Sequence, residues 1–412
     1  MWRPAVGLFW AIAVAFLTLQ PGGMRLEEIG AISSFCLSCG SRGTADAVLN
    51  VVLFIPLGIV LSGGRRGIGF ALLVGGLTSL GIEVSQLFMP GRHTSAADLL
   101  WNTAGTGAGT VLYLAAHRHV RGRSVGGVVP WAMAAGSTLL VAGIFSVPAP
   151  THVDYWGQWM PDLGYMPEYD GVVLTAELNA EPMLSGRLQH DRPHRDQLTG
   201  DWHLTGRIVA ASAPSGVSPI LSVYDGIQRE ILLLGAHGAD LVFRERGIGA
   251  GLGFDAPDVR VPNALRSVSP GDTVQLSVER VDERTCLALD DDEWCGVGIT
   301  PGRTWGYLLY LEGPPEWLRS VVDLFWMLGI FLPIGFFARG SREAGLGLAL
   351  ALCAMVAAVA VTPLISGTLW EVVAAGAGVA LGRALFVALV RIVGMSKATP
   401  DGSASARVPI GP

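Results

Sequence analysis

Hydrophobic residues are concentrated in two parts of the chain, on either side of a more polar middle region. Residues 1–148 and 316–395 are almost continuous apolar runs, interrupted at intervals by short polar turns. A helix needs about 20 apolar residues to cross the hydrocarbon core of a bilayer. The pattern therefore predicts about eight membrane-spanning helices, at residues ~5–20, 46–62, 68–89, 95–116, 128–148, 317–338, 344–364 and 367–393.

The middle region, residues 149–315, has the pattern of an antiparallel β domain. Short apolar or alternating runs such as 202–209 and 230–234 are separated by turn sequences such as Asp225-Gly226 and Pro270-Gly271-Asp272. Many short strands separated in this way favour a β-sandwich of the jelly-roll kind. The last residues, 396–412, contain no apolar run and are expected to form a disordered tail.

Composition places the whole chain among multi-pass membrane proteins. Of its 412 residues, 50% are hydrophobic and only 15% are charged, and the mean hydropathy is +0.47. These values exclude a large soluble enzyme. The net charge of -6 says little about partners, because the basic residues lie mainly at helix ends. No basic stripe with interleaved aromatic residues is present, so nucleic acid is not an expected partner, whereas membrane lipids are.

Basic residues mark every second loop and predict the orientation. By the positive-inside rule, loops rich in Lys and Arg are cytoplasmic. The basic positions are Arg3, Arg65, Arg66, Arg118, Arg121, Arg123, Arg339, Arg342, Arg391 and Lys397. Both termini are therefore predicted to be cytoplasmic, and residues 149–315 extracytoplasmic. The first apolar run lacks a good signal-peptide cleavage site and is expected to be a retained helix.

An internal repeat relates the two apolar regions. The segment from Asp46 to Gly58 reads DAVLNVVLFIPLG, and the segment from Asp323 to Gly335 reads DLFWMLGIFLPIG. Later, the same Leu-Trp pair precedes a Gly-Ala-Gly sequence in both regions. The alignment pairs Asn50 with Met327, Asp98 with Gly367, and Asn102 with Glu371. We predict a degenerate second copy, with chance similarity between Gly-rich apolar helices as the alternative.

Polar residues within the first apolar region are the candidates for function. Ionisable groups inside membrane-length helices are costly, so each is a functional-site hypothesis. The predicted site consists of Asp46, Asn50, Glu83, Gln86, Arg92, Asp98 and Asn102. Residues three or four apart share one face of a helix, so these side chains can converge in an outward-facing pocket for a polar head group. The alternative is that they only bond neighbouring helices to one another.

The chain contains no motif of a standard hydrolase or metal enzyme. Sequences such as HExxH, GxSxG and the P-loop are absent, and His and Cys residues do not cluster at ligand spacing. His93 is expected to be a loop residue, while His117 and His119 belong to a cytoplasmic basic cluster. No metal ion or other cofactor is therefore expected, and no catalytic residue can be assigned.

The ordered set of polar and helix-breaking residues resembles the VanZ-like family of small integral membrane proteins. The similar elements are Asp46-x3-Asn50, Phe54-Ile55-Pro56-Leu57-Gly58, Ile82-Glu83-x2-Gln86, Arg92, Asp98-x3-Asn102 and Gly105. The resemblance covers roughly residues 5–120, with the degenerate copy at about 317–393. It implies a multi-pass protein of the bacterial cytoplasmic (inner) membrane that acts at the cell envelope. The founding member is associated with low-level resistance to teicoplanin, but the resemblance implies no particular reaction.

The middle domain resembles, more loosely, the concanavalin A-like and laminin-G-like jelly rolls. The similar residues are the run 237–246 and Gly271-Asp272 before a strand. This resemblance implies carbohydrate binding, with a purely adhesive or packing module as the alternative. A pair of catalytic glutamates is not recognisable, so binding is favoured over glycoside hydrolysis.

The five cysteines suggest one structural disulfide. Cys286 and Cys295 flank a turn of four acidic residues, which is the spacing of a hairpin with cross-strand cysteines. In an extracytoplasmic domain these two are expected to form a disulfide. Cys36 and Cys39 form a CxxC sequence that predicts either a local disulfide or two spare thiols. Cys353 lies in an apolar helix and is expected to be a small core residue.

These observations lead to one functional hypothesis and two alternatives. The hypothesis is a VanZ-like envelope protein that binds or handles a lipid-linked or cell-wall glycan component without classical catalysis and affects glycopeptide susceptibility. The first alternative is a membrane enzyme in which Glu83 or Asp98 is the general acid or base on an envelope lipid. The second alternative is a structural scaffold.

Overall fold

The structure, a computed structural model, describes residues 2–18, 41–62, 67–89, 94–122, 127–150, 154–163, 166–188, 198, 200–310 and 315–397. Helical segments lie on either side of an all-β domain in the chain, as predicted. The helices are α1 (Trp2–Thr18), α2 (Gly43–Leu61), α3 (Ile68–Gln86), α4 (Ala96–Val120), α5 (Val129–Phe145), α6 (Glu316–Phe337), α7 (Ser341–Val361) and α8 (Leu369–Lys397). Their ends differ from the predicted ends by a few residues.

Five of the described helices are long and apolar enough to span a membrane: α2, α3, α6, α7 and residues Leu369–Ile392 of α8. Helices α1 and α5 are apolar but have only 17 residues each, or about 25 Å against a hydrocarbon thickness of about 30 Å. Helix α4 has 25 residues, but its polar side chains make it less hydrophobic. Of the roughly eight predicted spans, five are therefore confirmed by helix length and composition.

The β domain consists of two six-stranded antiparallel sheets that form a sandwich-like region. One sheet has the order β4-β1-β6-β7-β8-β9 and the other the order β12-β11-β10-β5-β2-β3. The strands are β1 (Tyr155–Trp159), β2 (Val172–Leu178), β3 (Glu181–Pro182), β4 (Gly186–Arg187), β5 (Trp202–Val209), β6 (Ser218–Asp225), β7 (Glu230–His237), β8 (Asp240–Glu245), β9 (Val259–Val261), β10 (Thr273–Val281), β11 (Arg284–Leu289) and β12 (Asp292–Val297). The resemblance to concanavalin A-like and laminin-G-like domains stays a prediction, although the sandwich fits it.

Alternating side chains build the core between the sheets. In β5 every second residue is buried, as expected for a strand with one solvated face. Strand β6 is buried along its whole length, and its sheet is also covered on its outer face, where Met166 packs with Leu233 and Val242. The predicted runs with strict alternation and those without it therefore belong to different sheets.

Glycines allow two pairs of helices to touch backbone to backbone. In the first pair, a Cβ on Gly58, Gly105 or Gly109 would collide with the main chain of the partner helix, α4 or α2. In the second pair, the same holds for Gly335, Gly378 and Gly382 between α6 and α8. Small residues permit such close approach between membrane helices. The two pairs are therefore built in the same way.

These glycine contacts support the predicted repeat and correct its register. The carbonyls of Val51 and Ile55 lie against Gly105 and Gly109, while those of Leu328 and Leu332 lie against Gly378 and Gly382. Gly58 likewise meets Thr106, as Gly335 meets Val379. Spatially equivalent residues are thus 277 positions apart in α2 and α6, and 273 apart in α4 and α8. The sequence alignment of α2 with α6 was therefore right, but that of α4 with α8 was one helical turn out of register. In the structure Glu371 corresponds to Asp98, and Ala375 corresponds to Asn102.

The ring of His119 is buried against Phe336, Phe337 and Phe386, where α4 meets α6 and α8, so it joins the two repeats. One sequence-based expectation about a single residue is wrong. Cys353 is exposed on α7 rather than part of a core, because the surface of a membrane helix bundle is as apolar as its interior.

The structure joins Cys286 and Cys295 in a disulfide, and the two residues face each other across β11 and β12. Cys36 and Cys39 lie outside the described residues. If the domain matures in an oxidising compartment, alkylation before reduction should leave Cys286 and Cys295 unlabelled in an intact-mass measurement. Replacing both by Ser should lower the free energy of unfolding by about 2–3 kcal/mol. Full labelling of both thiols in protein purified from membranes would contradict the prediction.

Adding a methyl group at Gly109 should separate α2 from α4. Gly109→Ala places its Cβ on the Ile55 carbonyl, and overpacking of this kind typically costs about 1–3 kcal/mol. We expect a lower midpoint of thermal unfolding in detergent. The matched control is Gly376→Ala in α8, where an added Cβ meets no atom within 4 Å. Equal midpoints for the two variants would argue against the close contact.

Candidate functional site

The polar residues of the first repeat lie where α2 and α4 begin and α3 ends, next to the β domain. The first residues of α2 are fixed to the loop that follows Gly251. The Thr44 hydroxyl donates a hydrogen bond to the Leu252 carbonyl at 2.5 Å, and the Arg42 Nε lies 2.8 Å from a carboxylate oxygen of Asp255. The sandwich and the predicted site are therefore at the same end of the bundle.

Hydrogen bonds among these residues connect neighbouring helices. Asn50 Nδ2 of α2 donates to Asp98 Oδ1 of α4 at 2.8 Å. Asn102 Nδ2, one turn deeper in α4, donates to the hydroxyl of Ser79 in α3 at 2.9 Å. Both bonds have the geometry of ordinary hydrogen bonds. The stripes predicted on α2, α3 and α4 thus face one another.

The remaining members of the set connect the end of α3 to its neighbours. The backbone N–H of Ser95, which caps α4, donates to Glu83 Oε2 at 2.8 Å. Gln86 Nε2 donates to the carbonyl of Thr18 at the end of α1, at 3.0 Å. Glu83 is only 7% exposed, and the Asp98 carboxylate is close enough to interact with it electrostatically. Two carboxyl groups are thus held near each other at the entrance to the bundle.

One acceptor in this cluster is buried without a partner. Asn102 is 4% exposed, and its Oδ1 accepts no hydrogen bond within the described part of the chain. A buried acceptor left in this way costs about 1–3 kcal/mol. The Asn102 Oδ1 acceptor is therefore available to a donor that is not part of the described chain.

Asp46 lies outermost and is exposed. Its charge acts on Asp255 in the β domain. Burial raises the pKa of the Asp255 carboxyl group to about 6, Arg42 opposes this effect, and Asp46 adds to it. Arg92, which the sequence places in the same site, lies outside the described residues, as does His93.

The corresponding site in the second repeat is filled by the chain itself. Residues Gly302–Tyr307 form a short 3-10 helix that follows the sandwich. The Arg303 Nε donates to both carboxylate oxygens of Asp323, the equivalent of Asp46, at 3.0 and 3.1 Å. The indole Nε1 of Trp305 donates to the same carboxylate at 2.6 Å, and Arg303 Nη2 donates to Glu316 at 2.7 Å. We call Gly302, Arg303 and Trp305 the plug.

The plug also reaches the second acid of the repeat. The backbone N–H of Gly302 donates to Glu371 Oε2 at 2.8 Å, and Glu371, the equivalent of Asp98, is only 2% exposed. Beneath it, Met327 and Ala375 occupy the positions of Asn50 and Asn102, and both are completely buried in an apolar cluster. The second site is thus closed above by donors of the chain and apolar below.

Sequence analysis missed a pair of arginines that fix the β domain to both repeats. Arg42 and Arg319 are equivalent, each four residues before the repeat aspartate. Arg42 bonds to Asp255, and the Arg319 guanidinium lies 4.0 Å from Asp258. Although burial opposes its charge, Arg244 and Arg260 hold the pKa of Asp258 below its usual value. The shared Arg-x3-Asp spacing was the available signal.

A separate cavity of about 730 Å³ lies between the sandwich and the ends of α5 and α7. Phe145 and Leu364 line its apolar side, and Glu245 and Arg280 its polar side. Burial raises the pKa of Glu245 to about 7, and its ion pair with Arg280 opposes that effect. None of the six predicted site residues that the structure describes lines this cavity.

Comparison with known proteins gives a family for the first repeat. No curated protein and no solved structure matches the chain. The matching family model, described as VanZ/LLP1, covers residues 8–117. This segment contains α2, α3 and all seven residues of the predicted site, and with five apolar helices it supports a multi-pass membrane protein. Residues 8–117 are therefore a VanZ-like membrane segment, to which a β-sandwich and a second helical repeat are joined.

Proposed function

We propose that the first repeat binds the polar head group of a lipid-linked or cell-wall glycan component of the bacterial envelope. In this proposal the pocket consists of the seven residues predicted from the sequence: Asp46, Asn50, Glu83, Gln86, Arg92, Asp98 and Asn102. In this proposal the protein lies in the cytoplasmic membrane with the sandwich outside, and ligand binding underlies an effect on glycopeptide susceptibility of the teicoplanin type.

The observation that carries the proposal is the difference between the two repeats. Both have the same glycine-mediated helix pair and the same outer acids. In the second repeat, where the chain closes the site, Met327 and Ala375 give an ordinary apolar interior. The first repeat has amides at both of these positions, and the Asn102 Oδ1 acceptor receives no hydrogen bond from any residue that the structure describes. Helix packing alone is satisfied by the apolar pair, so the amides favour a binding role.

The position of the β domain supports a ligand with an extended head group. The sandwich is anchored beside the pocket through Arg42 and Thr44. A head group held among α2, α3 and α4 would therefore leave the bundle next to the sandwich. A glycan attached to that head group would meet the sandwich, which is the part of the chain that resembles carbohydrate-binding domains.

A repeat-swap variant separates binding from packing. Asn50→Met together with Asn102→Ala gives the first repeat the interior of the second. Hydrogen bonds between membrane helices are worth only about 0.6 kcal/mol on average, so the midpoint of thermal unfolding should stay the same or rise. The amount of lipid-linked glycan that copurifies in mild detergent, measured by mass spectrometry, should fall strongly.

Conservative variants keep this test decisive if the swap fails to fold. Glu83→Gln and Asp98→Asn retain shape and hydrogen bonding but remove charge. Both variants should lose the copurifying lipid. In a deletion strain, they should fail to restore the wild-type level of glycopeptide susceptibility. The control is Asp291→Asn, in the exposed β11–β12 turn, which should behave as wild type. If lipid-linked glycan copurifies undiminished with the swap variant and with both charge variants, the binding proposal is wrong and the scaffold alternative is favoured.

A further inference from the structure

The cavity between the sandwich and the helices has one apolar wall and one polar wall. Its volume of about 730 Å³ is in the range of small-molecule sites, about 300–1,000 Å³. The apolar wall lies where α5 and α7 end and includes Phe145, Val361 and Leu364. The polar wall belongs to the sandwich and includes Glu245 of β8 and Arg280 of β10. A space divided in this way suits an amphiphile.

The apolar wall reaches the outer surface of the helix bundle. Val361, the last residue of α7, lines the cavity and is 71% exposed, and Pro363 just beyond it is exposed as well. Helix α7 is long and apolar enough to span a membrane, so its last turn lies where hydrocarbon gives way to head groups. An acyl chain in the leaflet on the sandwich side therefore has a direct route into the cavity.

The polar wall contains an ion pair with unused hydrogen-bonding capacity. Arg280 donates to the Glu245 carboxylate from the opposite sheet, and both side chains are largely buried. Among the described residues, neither side chain has a second hydrogen-bond partner. A guanidinium has five N–H donors, and a carboxylate can accept several hydrogen bonds. The pair therefore presents both signs of charge to the cavity and complements a zwitterion.

Charges at the polar edge of the cavity discriminate between head groups. Asp201, Asp282 and Glu283 line this edge and are exposed, and Arg284 is the exposed basic residue beside them. Like charges placed together disfavour binding. A head group with a net negative charge is therefore disfavoured, whereas a free ammonium group is attracted.

We propose that this cavity binds a zwitterionic phospholipid whose head group carries a primary ammonium, of the phosphatidylethanolamine class. The ammonium lies at Glu245, the phosphate lies at Arg280, and the first part of an acyl chain lies along Val361 and Leu364. This site is separate from the pocket proposed in the first repeat, and its ligand fills the space between the helices and the sandwich.

The test compares two phospholipids with the same acyl chains. Native mass spectrometry of the full-length protein in mild detergent should give a Kd for phosphatidylethanolamine at least about tenfold lower than for phosphatidylglycerol. Val361→Trp should remove this preference, because the indole fills the apolar mouth. The matched control is Val356→Trp, at a 64% exposed position of α7 that does not line the cavity, and it should bind as wild type. Glu245→Gln should weaken phosphatidylethanolamine binding, and the repeat-swap variant should not.

Three outcomes would overturn the proposal. Equal affinity for the two lipids would exclude recognition of the zwitterion. Unchanged phosphatidylethanolamine binding in both Val361→Trp and Glu245→Gln would place the lipid elsewhere, and Val361→Trp suffices for this arm if Glu245→Gln fails to fold. Displacement of the lipid by an equal concentration of glycerophosphoethanolamine, which has no acyl chains, would identify a soluble zwitterion as the occupant.

Discussion

Direct contact between the backbones of paired helices is the constraint on which the other features depend. Gly58, Gly105 and Gly109 allow the main chains of α2 and α4 to touch, because a Cβ at any of them would collide with the partner helix. In a bilayer the helices gain nothing by hiding apolar surface from water, so close van der Waals contact is a main source of association. The same contact recurs between α6 and α8. Once each pair is locked, the residues at its outer end have no freedom to move apart.

Close approach also explains why the polar groups meet in pairs. Asn50 reaches Asp98 at 2.8 Å because the axes of α2 and α4 are held together just below, where Val51 meets Gly105. Helix α3 packs alongside and supplies Ser79 and Glu83. A cluster that would be costly on a single helix becomes tolerable because each member has a partner across an interface. Asn102 Oδ1 is the exception, and a ligand group would satisfy it.

The two repeats share one arrangement of paired helices but differ in what lies at the outer end of the pair. In the second repeat, the segment that leaves the sandwich supplies Gly302, Arg303 and Trp305, and the acids Asp323 and Glu371 serve to hold the β domain on the helices. Arg319 and Arg42 attach the neighbouring loop at Asp258 and Asp255. The β domain is therefore fixed to both repeats through ion pairs, in addition to an apolar cluster in which Phe145 of α5 packs against Phe254 and Tyr307. Such a junction holds the sandwich in one orientation beside the first repeat.

The sequence by itself determined the architecture, because hydrophobic length and period-two alternation are local properties of the chain. They sufficed to predict the helical regions and the antiparallel β domain. Matching residues after Asp46 and Asp323 sufficed to predict the repeat, and the order of polar residues gave the VanZ-like resemblance. Sequence letters could not decide the register of α8, because the Leu-Trp and Gly-Ala-Gly matches align it with α4 one turn away from the register in which the helices pack. That register, which makes Glu371 the counterpart of Asp98, depends on which carbonyl each glycine touches across the helix pair. Tertiary structure alone also decided that Arg303 fills the second site, since the chain brings it there from outside the helices, where no local pattern records its partner.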